Sequence, residues 1–258
     1  MVFRPFALIL AIGLSCVLAP AQSANTILDA AKPAAPVAQP KPDLTPELRG
    51  DIFMARKQYR EAIDAYRQGP SKDPTLWNKM GISYHQMLQL DQAKKCYEQA
   101  LRFKPDYAEA MNNIGTVYYA RKSYRRAISW YQKAIRVTPS SASFYSNLGT
   151  AFFSRKKYEE ATQAFHTALE LNPNVFEDRS SYGTTLQEKN VEERAKFHFY
   201  VAKLYAKSGR NELALQYLRK ALEEGFKERK RLEEDPEFAA LRELPEFKAL
   251  LTLEPRVL

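Results

Sequence analysis

Small and aromatic residues recur along the middle of the chain at a constant interval. Gly81, Gly115, Gly149 and Gly183 are each separated from the next by 34 residues. The same interval relates aromatic residues, alanines and prolines: Tyr84, Tyr118 and Phe152; Ala93, Ala127 and Ala161; Tyr97, Tyr131 and Phe165; Ala100, Ala134 and Ala168; Pro105, Pro139 and Pro173. A period of this length predicts stacked helical hairpins, in which each pair of helices buries its apolar face against the next pair.

Each repeated residue type has a structural role in the predicted helix pair. In the stretch from 73 to 105, Asp73 can cap a helix and Pro74 suits its first turn. Gly81 is small because two antiparallel helices approach closely there, and Tyr97 fills the space between layers. Pro105 ends the second helix, because a proline disfavours helical geometry in the residue before it.

These residues resemble the tetratricopeptide repeat (TPR) pattern. The resemblance implies an all-α fold, a right-handed superhelical α-solenoid of TPR helix-turn-helix repeats with a C-terminal helical cap. We place the units at about 43–73, 74–107, 108–141, 142–175 and 195–226, with an insertion at 176–194. Gly183 leaves an alternative open, since Ala195, Phe199 and Ala202 also fit the second helix of a unit that starts near it. The fuller match from Ala202 onward favours the first arrangement.

The C-terminal segment 227–258 contains a shorter sequence motif twice, in which a proline starts a short helix with apolar residues on one side. Arrays need such elements to cover the apolar face of the last repeat. We predict that this cover is made by Phe238, Leu241, Phe247 and Leu250; the alternative is a second binding surface.

Residues 1–24 have the pattern of a secretory signal peptide, with Arg4 near the start, an apolar run from Phe6 to Leu18 and small residues after it. This predicts export to the periplasm or the extracellular space. An uncleaved N-terminus that anchors the protein peripherally to a membrane, or a lipid-modified Cys16, are the alternatives. The Ala/Pro-rich residues 25–42 read as a flexible linker.

Residues for chemistry are scarce in the sequence. His85, His166 and His198 have no cysteine or carboxylate at metal-ligand spacing, and no phosphate-binding loop or nucleophile motif occurs. We therefore expect no catalytic residue, metal, cofactor or small-molecule substrate, and a protein that is not an enzyme. Nucleic acid is also not expected as a partner, because the aromatic residues are committed to packing and export removes most such partners.

The resemblance implies that the first helix of each pair lines a concave groove. The candidate groove residues combine amide and hydroxyl groups with apolar side chains, a mixture that suits an extended peptide. They are Asn78, Ile82, His85, Asn112, Asn113, Thr116, Tyr119, Ser146, Asn147, Thr150 and Phe153. Asn113 and Asn147 are similar to the asparagine ladder in the TPR arm of O-linked N-acetylglucosamine transferase, although asparagine is common at this place in TPR units generally. The groove lacks most of the basic residues with which chaperone-binding TPR arrays recognise a terminal carboxylate.

A basic rim is predicted at the turns inside the hairpins. It comprises Arg121, Lys122, Arg125, Arg126, Arg155, Lys156 and Lys157. The net charge of +9 over 258 residues is consistent with a basic surface. These residues are either solvated turn positions or a surface that attracts acidic peptide segments or anionic membranes.

The function that these features favour is a non-catalytic adaptor of the cell envelope, which binds a protein or peptide partner in the concave groove. Two alternatives remain open. One is an accessory subunit of an envelope assembly or biosynthetic enzyme complex, and the other is a self-associating structural scaffold.

Overall fold

The computed structural model describes residues 44–177 and 191–254. Of the two units into which the chain divides, Met1–Pro42 therefore lies outside the described residues, and the array belongs to the other, Asp43–Leu258. The predicted signal peptide, the linker, Gly183 and most of the insertion also lie outside the described residues.

Every regular element in these two ranges is helical, which confirms the all-α prediction. In chain order they are α1 Pro46–Ala55, α2 Tyr59–Tyr66, α3 Pro74–Gln86, α4 Leu90–Phe103, α5 Ala108–Ala120, α6 Tyr124–Val137, α7 Ala142–Phe153, α8 Tyr158–Leu171, α9 Val191–Lys207, α10 Asn211–Glu223, α11 Lys230–Glu234, a 3₁₀ helix Pro236–Leu241 and α12 Pro245–Leu251. The first ten pack as consecutive pairs, α1 with α2 through α9 with α10, and each pair stacks on the next. This is the predicted solenoid of helix pairs.

The repeated glycines mark the closest approach within each pair. A Cβ atom added to Gly81 would lie 2.4 Å from a ring carbon of Tyr97, and one added to Gly115 would lie 2.5 Å from Tyr131. Gly50 in the first pair stands in the same relation to Tyr66. The alanines of the second helices are buried as well. The prediction that the repeated small residues mark close contacts between paired helices is therefore confirmed.

The helix ends also follow their predicted chemistry. The Asp73 carboxylate accepts a hydrogen bond from the backbone N–H of Thr75 at 2.8 Å, and Pro74 occupies the first turn of α3. After α4 the backbone of Lys104 is extended, immediately before Pro105. The helix therefore stops where the proline would disfavour another helical residue.

The turn inside each of the first four pairs uses a left-handed residue that is not glycine. Lys57, Leu88, Lys122 and Lys156 have φ values of 59°, 60°, 56° and 60°, and Gly209 takes this place in the fifth pair with φ 72°. A left-handed conformation costs a residue with a Cβ atom about 1–2 kcal/mol. The array therefore carries the same local strain four times.

The last pair and the cap share one core. Ala195, Phe199 and Ala202 lie on α9, which is the first helix of its pair. The predicted cover is buried in the same apolar cluster as α9 and α10: Phe238, Leu241, Phe247 and Leu250. The C-terminal segment is thus a helical cap over the last repeat. None of the helices in 44–177 and 191–254 is both long enough and apolar enough to cross a membrane.

Candidate functional site

The first helices of neighbouring pairs are joined by buried amides. α5 contacts both α3 and α7. The Nδ2 of Asn113 donates to the Oδ1 of Asn78 at 3.0 Å, and the Nδ2 of Asn147 donates to the Oδ1 of Asn112 at 2.9 Å. All four side chains are buried, from 7% exposed for Asn113 to 0% for Asn147. The pattern repeats because each bond joins equivalent places in successive units.

These bonds correct the expectation that the asparagines face a bound peptide. A buried amide that already pairs with the neighbouring helix cannot also pair with the backbone of a ligand without breaking that bond. The amide groups of Asn78, Asn112, Asn113 and Asn147 therefore hold the first helices side by side. Their role is in the register of the array.

Three other candidate groove residues are also buried: Tyr119, Thr150 and Phe153. The ring of Tyr119 packs against Tyr124, and its hydroxyl lies 2.8 Å from the Oγ of Ser154. Thr150 is buried, and its hydroxyl donates to the carbonyl of Ser146 at 2.9 Å. The expected apolar platforms and hydroxyl groups at these places are therefore used within the fold.

Phe153 is covered by the last pair. Its ring packs edge-on against Phe197 of α9, with centroids 5.8 Å apart, and against Tyr200 at 5.9 Å. Neither aromatic belongs to the regular period, because the insertion shifts α9 out of the spacing of the earlier units. The sequence held no signal that these two rings would reach Phe153.

The candidate groove residues that remain partly exposed are Ile82, His85, Thr116 and Ser146. We call these four residues the inner wall; they lie on α3, α5 and α7. Burial lowers the pKa of His85, so the imidazole is neutral near pH 7. The inner wall is therefore uncharged and presents aliphatic, hydroxyl and imidazole groups.

A charged cluster bounds the inner wall on the side of the first pair. The Lys79 ammonium lies 2.7 Å from carboxylate oxygens of both Glu47 and Asp51. Burial opposes its charge, but the hydrogen bonds and the charge attraction of Asp51 and Glu47 together outweigh burial and raise the pKa of Lys79. This cluster links α1 to α3 and satisfies its own charges.

The predicted basic rim is partly neutralised. Arg121 forms an ion pair with Asp91 at 2.6 Å, and Lys157 pairs with Glu160. The guanidinium of Arg126 lies 5.7 Å from the ring centroid of Tyr118. Arg125 is exposed. Lys122 and Lys156 are exposed and hold the left-handed turn positions, and Arg155 is half-buried.

A small cavity lies where α9 meets α8. Its volume is about 180 Å³, and it is lined by Thr162, Gln163, His166, Tyr200, Lys203, Leu204, Lys207 and Glu237. Lys203 is neutralised by Asp235 at 2.7 Å and by Glu237 at 3.2 Å. Small-molecule sites are usually about 300–1,000 Å³. This cavity is smaller than that range, and we do not consider it a small-molecule site.

The described residues contain no group of histidines, cysteines and carboxylates that could hold a metal ion. Cys96 is buried, and burial raises the pKa of its thiol to about 11. A thiol with that pKa is almost entirely protonated at pH 7 and is a poor nucleophile.

Two family models match the chain. One is described as tetratricopeptide repeat and matches residues 72–140. The other is described as the fourth ARM domain of tetratricopeptide repeat protein 21 and matches residues 110–244, just over half of the chain.

A known protein is similar to part of the chain. The peroxisomal targeting signal receptor of Kluyveromyces lactis is 29% identical over 84 residues, which is 30% of this chain and 15% of the receptor. The chain therefore matches only a small part of that relative's length.

Solved structures of MamA also match. The crystal structure of MamA is 20% identical, over 71% of this chain and 96% of that one, with a TM-score of 0.47. MamA 41-end from Desulfovibrio magneticus RS-1 is 19% identical, over 67% of this chain and 89% of that one, also with a TM-score of 0.47. From the repeated residues, the packed helix pairs and the matching family models together, the chain belongs to the tetratricopeptide repeat family.

Proposed function

We propose that this protein is a non-catalytic adaptor that binds an extended segment of a partner protein along the inner wall. The observation that carries the proposal is the pair of amide bonds between α3, α5 and α7. They hold three first helices in fixed register and leave Ile82, His85, Thr116 and Ser146 partly exposed beside them. A preformed surface of this kind lowers the ordering cost of binding.

The chemistry of the inner wall supports a partner segment with few charges. Ile82 offers apolar contact, while Thr116 and Ser146 offer hydroxyl groups to a peptide backbone. Neutral His85 can donate or accept a hydrogen bond. A strongly acidic or basic peptide would find no counter-charge among these four residues.

The name of the K. lactis relative supports a polypeptide as the class of partner, since that protein is described as the receptor for a targeting signal. The apolar run from Phe6 to Leu18 supports a place in the cell envelope, as an exported protein or one held at a membrane by its N-terminus. Both points are part of the proposal.

The test places a long charged side chain on the inner wall. Ser146 is partly exposed on α7, and Ser129 is exposed on the outer face of α6. We expect Ser146→Arg to abolish partner capture from an envelope extract, because the new guanidinium blocks the wall and stays unpaired under a bound peptide. Ser129→Arg makes the same change on a second helix, away from the inner wall, and should capture the partner normally once the extract has been solubilised in detergent to remove lipid surfaces.

Both variants should keep the helical circular dichroism and the melting temperature of the wild type, so that loss of capture reports on the surface. Equal capture by wild type and Ser146→Arg, in two folded proteins, would contradict binding at the inner wall.

A further inference from the structure

The outer face of α6 carries a concentration of positive charge. The sequence of α6 is YRRAISWYQKAIRV, with four cations and no acidic residue. One stripe of this helix is exposed throughout and comprises Arg125, Ser129, Gln132, Lys133 and Arg136, which we call the α6 face. Within the described parts of the chain, no carboxylate forms an ion pair with the three cations of this stripe.

The second helices of the neighbouring units are not basic in the same way. On α4, Lys95 and Arg102 are exposed, but so are the carboxylates of Asp91 and Glu98. On α8, the exposed charged residues are Glu159 and Glu170. The excess of positive charge is therefore a local feature of α6 and does not extend along the other second helices.

An apolar edge runs beside the α6 face. Phe103, Val137 and Leu171 are the last residues of α4, α6 and α8, and they are 39%, 41% and 41% exposed. They are separated by 34 residues and therefore occupy equivalent places in three successive units. Exposed apolar side chains therefore recur at the same place in these three units.

Basic and apolar groups meet at Phe103 and Val137, whereas Leu171 follows the acidic Glu170. Arg102 and Lys104 flank Phe103, and Arg136 precedes Val137. One turn earlier in α6, the Lys133 ammonium lies 4.1 Å from the ring centroid of the partly buried Trp130. Cations that surround exposed apolar and aromatic side chains are the combination that binds the interface of an anionic bilayer.

We infer that the α6 face and its apolar edge dock on the anionic surface of a lipid bilayer. The cations would contact lipid phosphates, and Phe103 and Val137 would enter the headgroup region. Three cations on one stripe, none of them in an ion pair with a described carboxylate, favour negative lipid over neutral lipid. The apolar edge favours a bilayer over a soluble acidic peptide. A retained N-terminal apolar run would add to this attachment.

This docking goes beyond the proposed adaptor function and leaves it free to operate. The inner wall lies on first helices, whereas the α6 face lies on the outer side of a second helix. An array attached by its outer face would present the inner wall away from the lipid surface. The two proposals therefore fail separately, because Ser146→Arg should bind vesicles as the wild type does.

The test measures binding of the full chain to vesicles. The probes are phosphatidylcholine vesicles, and phosphatidylcholine vesicles in which about a third of the lipid is phosphatidylglycerol. The readout is the ratio of the two partition coefficients, because binding through the N-terminal apolar run contributes to both. We expect wild type to favour the anionic vesicles, and this preference to fall as ionic strength rises.

The decisive variant is the combined change Arg125→Glu, Lys133→Glu and Arg136→Glu. We expect it to lower the preference for anionic vesicles by about tenfold or more, since each cation near such a surface contributes about 1 kcal/mol. The matched control reverses three exposed cations around α2: Arg56→Glu, Lys57→Glu and Arg60→Glu. The control has the same net charge as the α6 variant. On a logarithmic scale, its loss of preference for anionic vesicles should be less than about a third of the loss in the α6 variant, because attraction over long distances is screened by salt.

A separate variant tests the apolar edge. Phe103→Ser with Val137→Ser keeps every charge and should weaken binding to anionic vesicles severalfold. Equal losses in the α6 variant and its control would overturn the proposal. So would unchanged binding of the apolar-edge variant together with tight binding of polyglutamate at the α6 face, because that pair of results would identify an acidic polypeptide as the occupant.

Discussion

At the scale of single residues, the array depends on side chains that are shared between neighbouring units. The amide of Asn147 completes a bond that starts on the preceding first helix, and Asn113 does the same one unit earlier. A buried amide that loses its partner keeps the cost of its desolvation, about 1–3 kcal/mol. Each amide pair therefore couples two successive units through side chains that are 35 residues apart.

We predict that Asn147→Ala lowers the free energy of unfolding by about 1–3 kcal/mol, because the buried Oδ1 of Asn112 loses its donor. Urea denaturation followed by circular dichroism measures the change. Gln132→Ala, at an exposed place on α6, is the control and should stay within about 0.5 kcal/mol of wild type. An Asn147→Ala protein as stable as the control would show that the amide pair does not hold the first helices together.

At the scale of elements, the same hairpin turn occurs in each pair, and its strain is concentrated at one residue. Leu88 is the clearest case, since it combines a φ of 60° with a side chain that is 80% exposed. It gains little from packing and has the unfavourable backbone of a left-handed residue. The fifth pair avoids this cost with Gly209.

Leu88→Gly should raise the free energy of unfolding by about 0.5–1 kcal/mol. The relief of the left-handed conformation, about 1–2 kcal/mol, exceeds the extra freedom of glycine in the unfolded chain. Leu88→Ala is the matched control, because it shortens the side chain and keeps the Cβ atom. If thermal and urea unfolding showed the alanine variant gaining as much as the glycine variant, removal of an exposed leucine and not backbone strain would be the cause.

The elements and their pairing could be predicted because their cause is local and periodic. Each glycine faces a ring of its own pair, so a fixed spacing in the sequence reports a fixed contact in space. The positive φ of Leu88, Lys122 and Lys156 had no such signal, because the residue type that usually marks it is absent.

The candidate site was harder to predict, since exposure depends on neighbours that spacing does not reveal. Helical offset placed Asn113 and Asn147 correctly on first helices, but it does not show which of two polar residues meets the adjacent helix. Phe153 was expected to be accessible, yet Phe197 of the shifted α9 lies against it. Contacts across an irregular junction have no period to reveal them.

At the scale of the whole array, the described residues form helix pairs in sequence order, ended by a cap that buries Phe238 and Phe247. In such an array each unit depends mainly on its neighbours. This architecture separates two surfaces, the inner wall on first helices and the outer face of the second helices. We propose that the partner protein binds at the inner wall and that lipid contacts the α6 face.

The most direct test of the central claim is site-specific photo-cross-linking in the native envelope. A photo-reactive amino acid would replace Thr116 on the inner wall or Gln132 on the outer face, both of which reach solvent. We expect one discrete polypeptide adduct from position 116 and no polypeptide adduct from position 132. Adducts from position 132 alone would contradict binding at the inner wall.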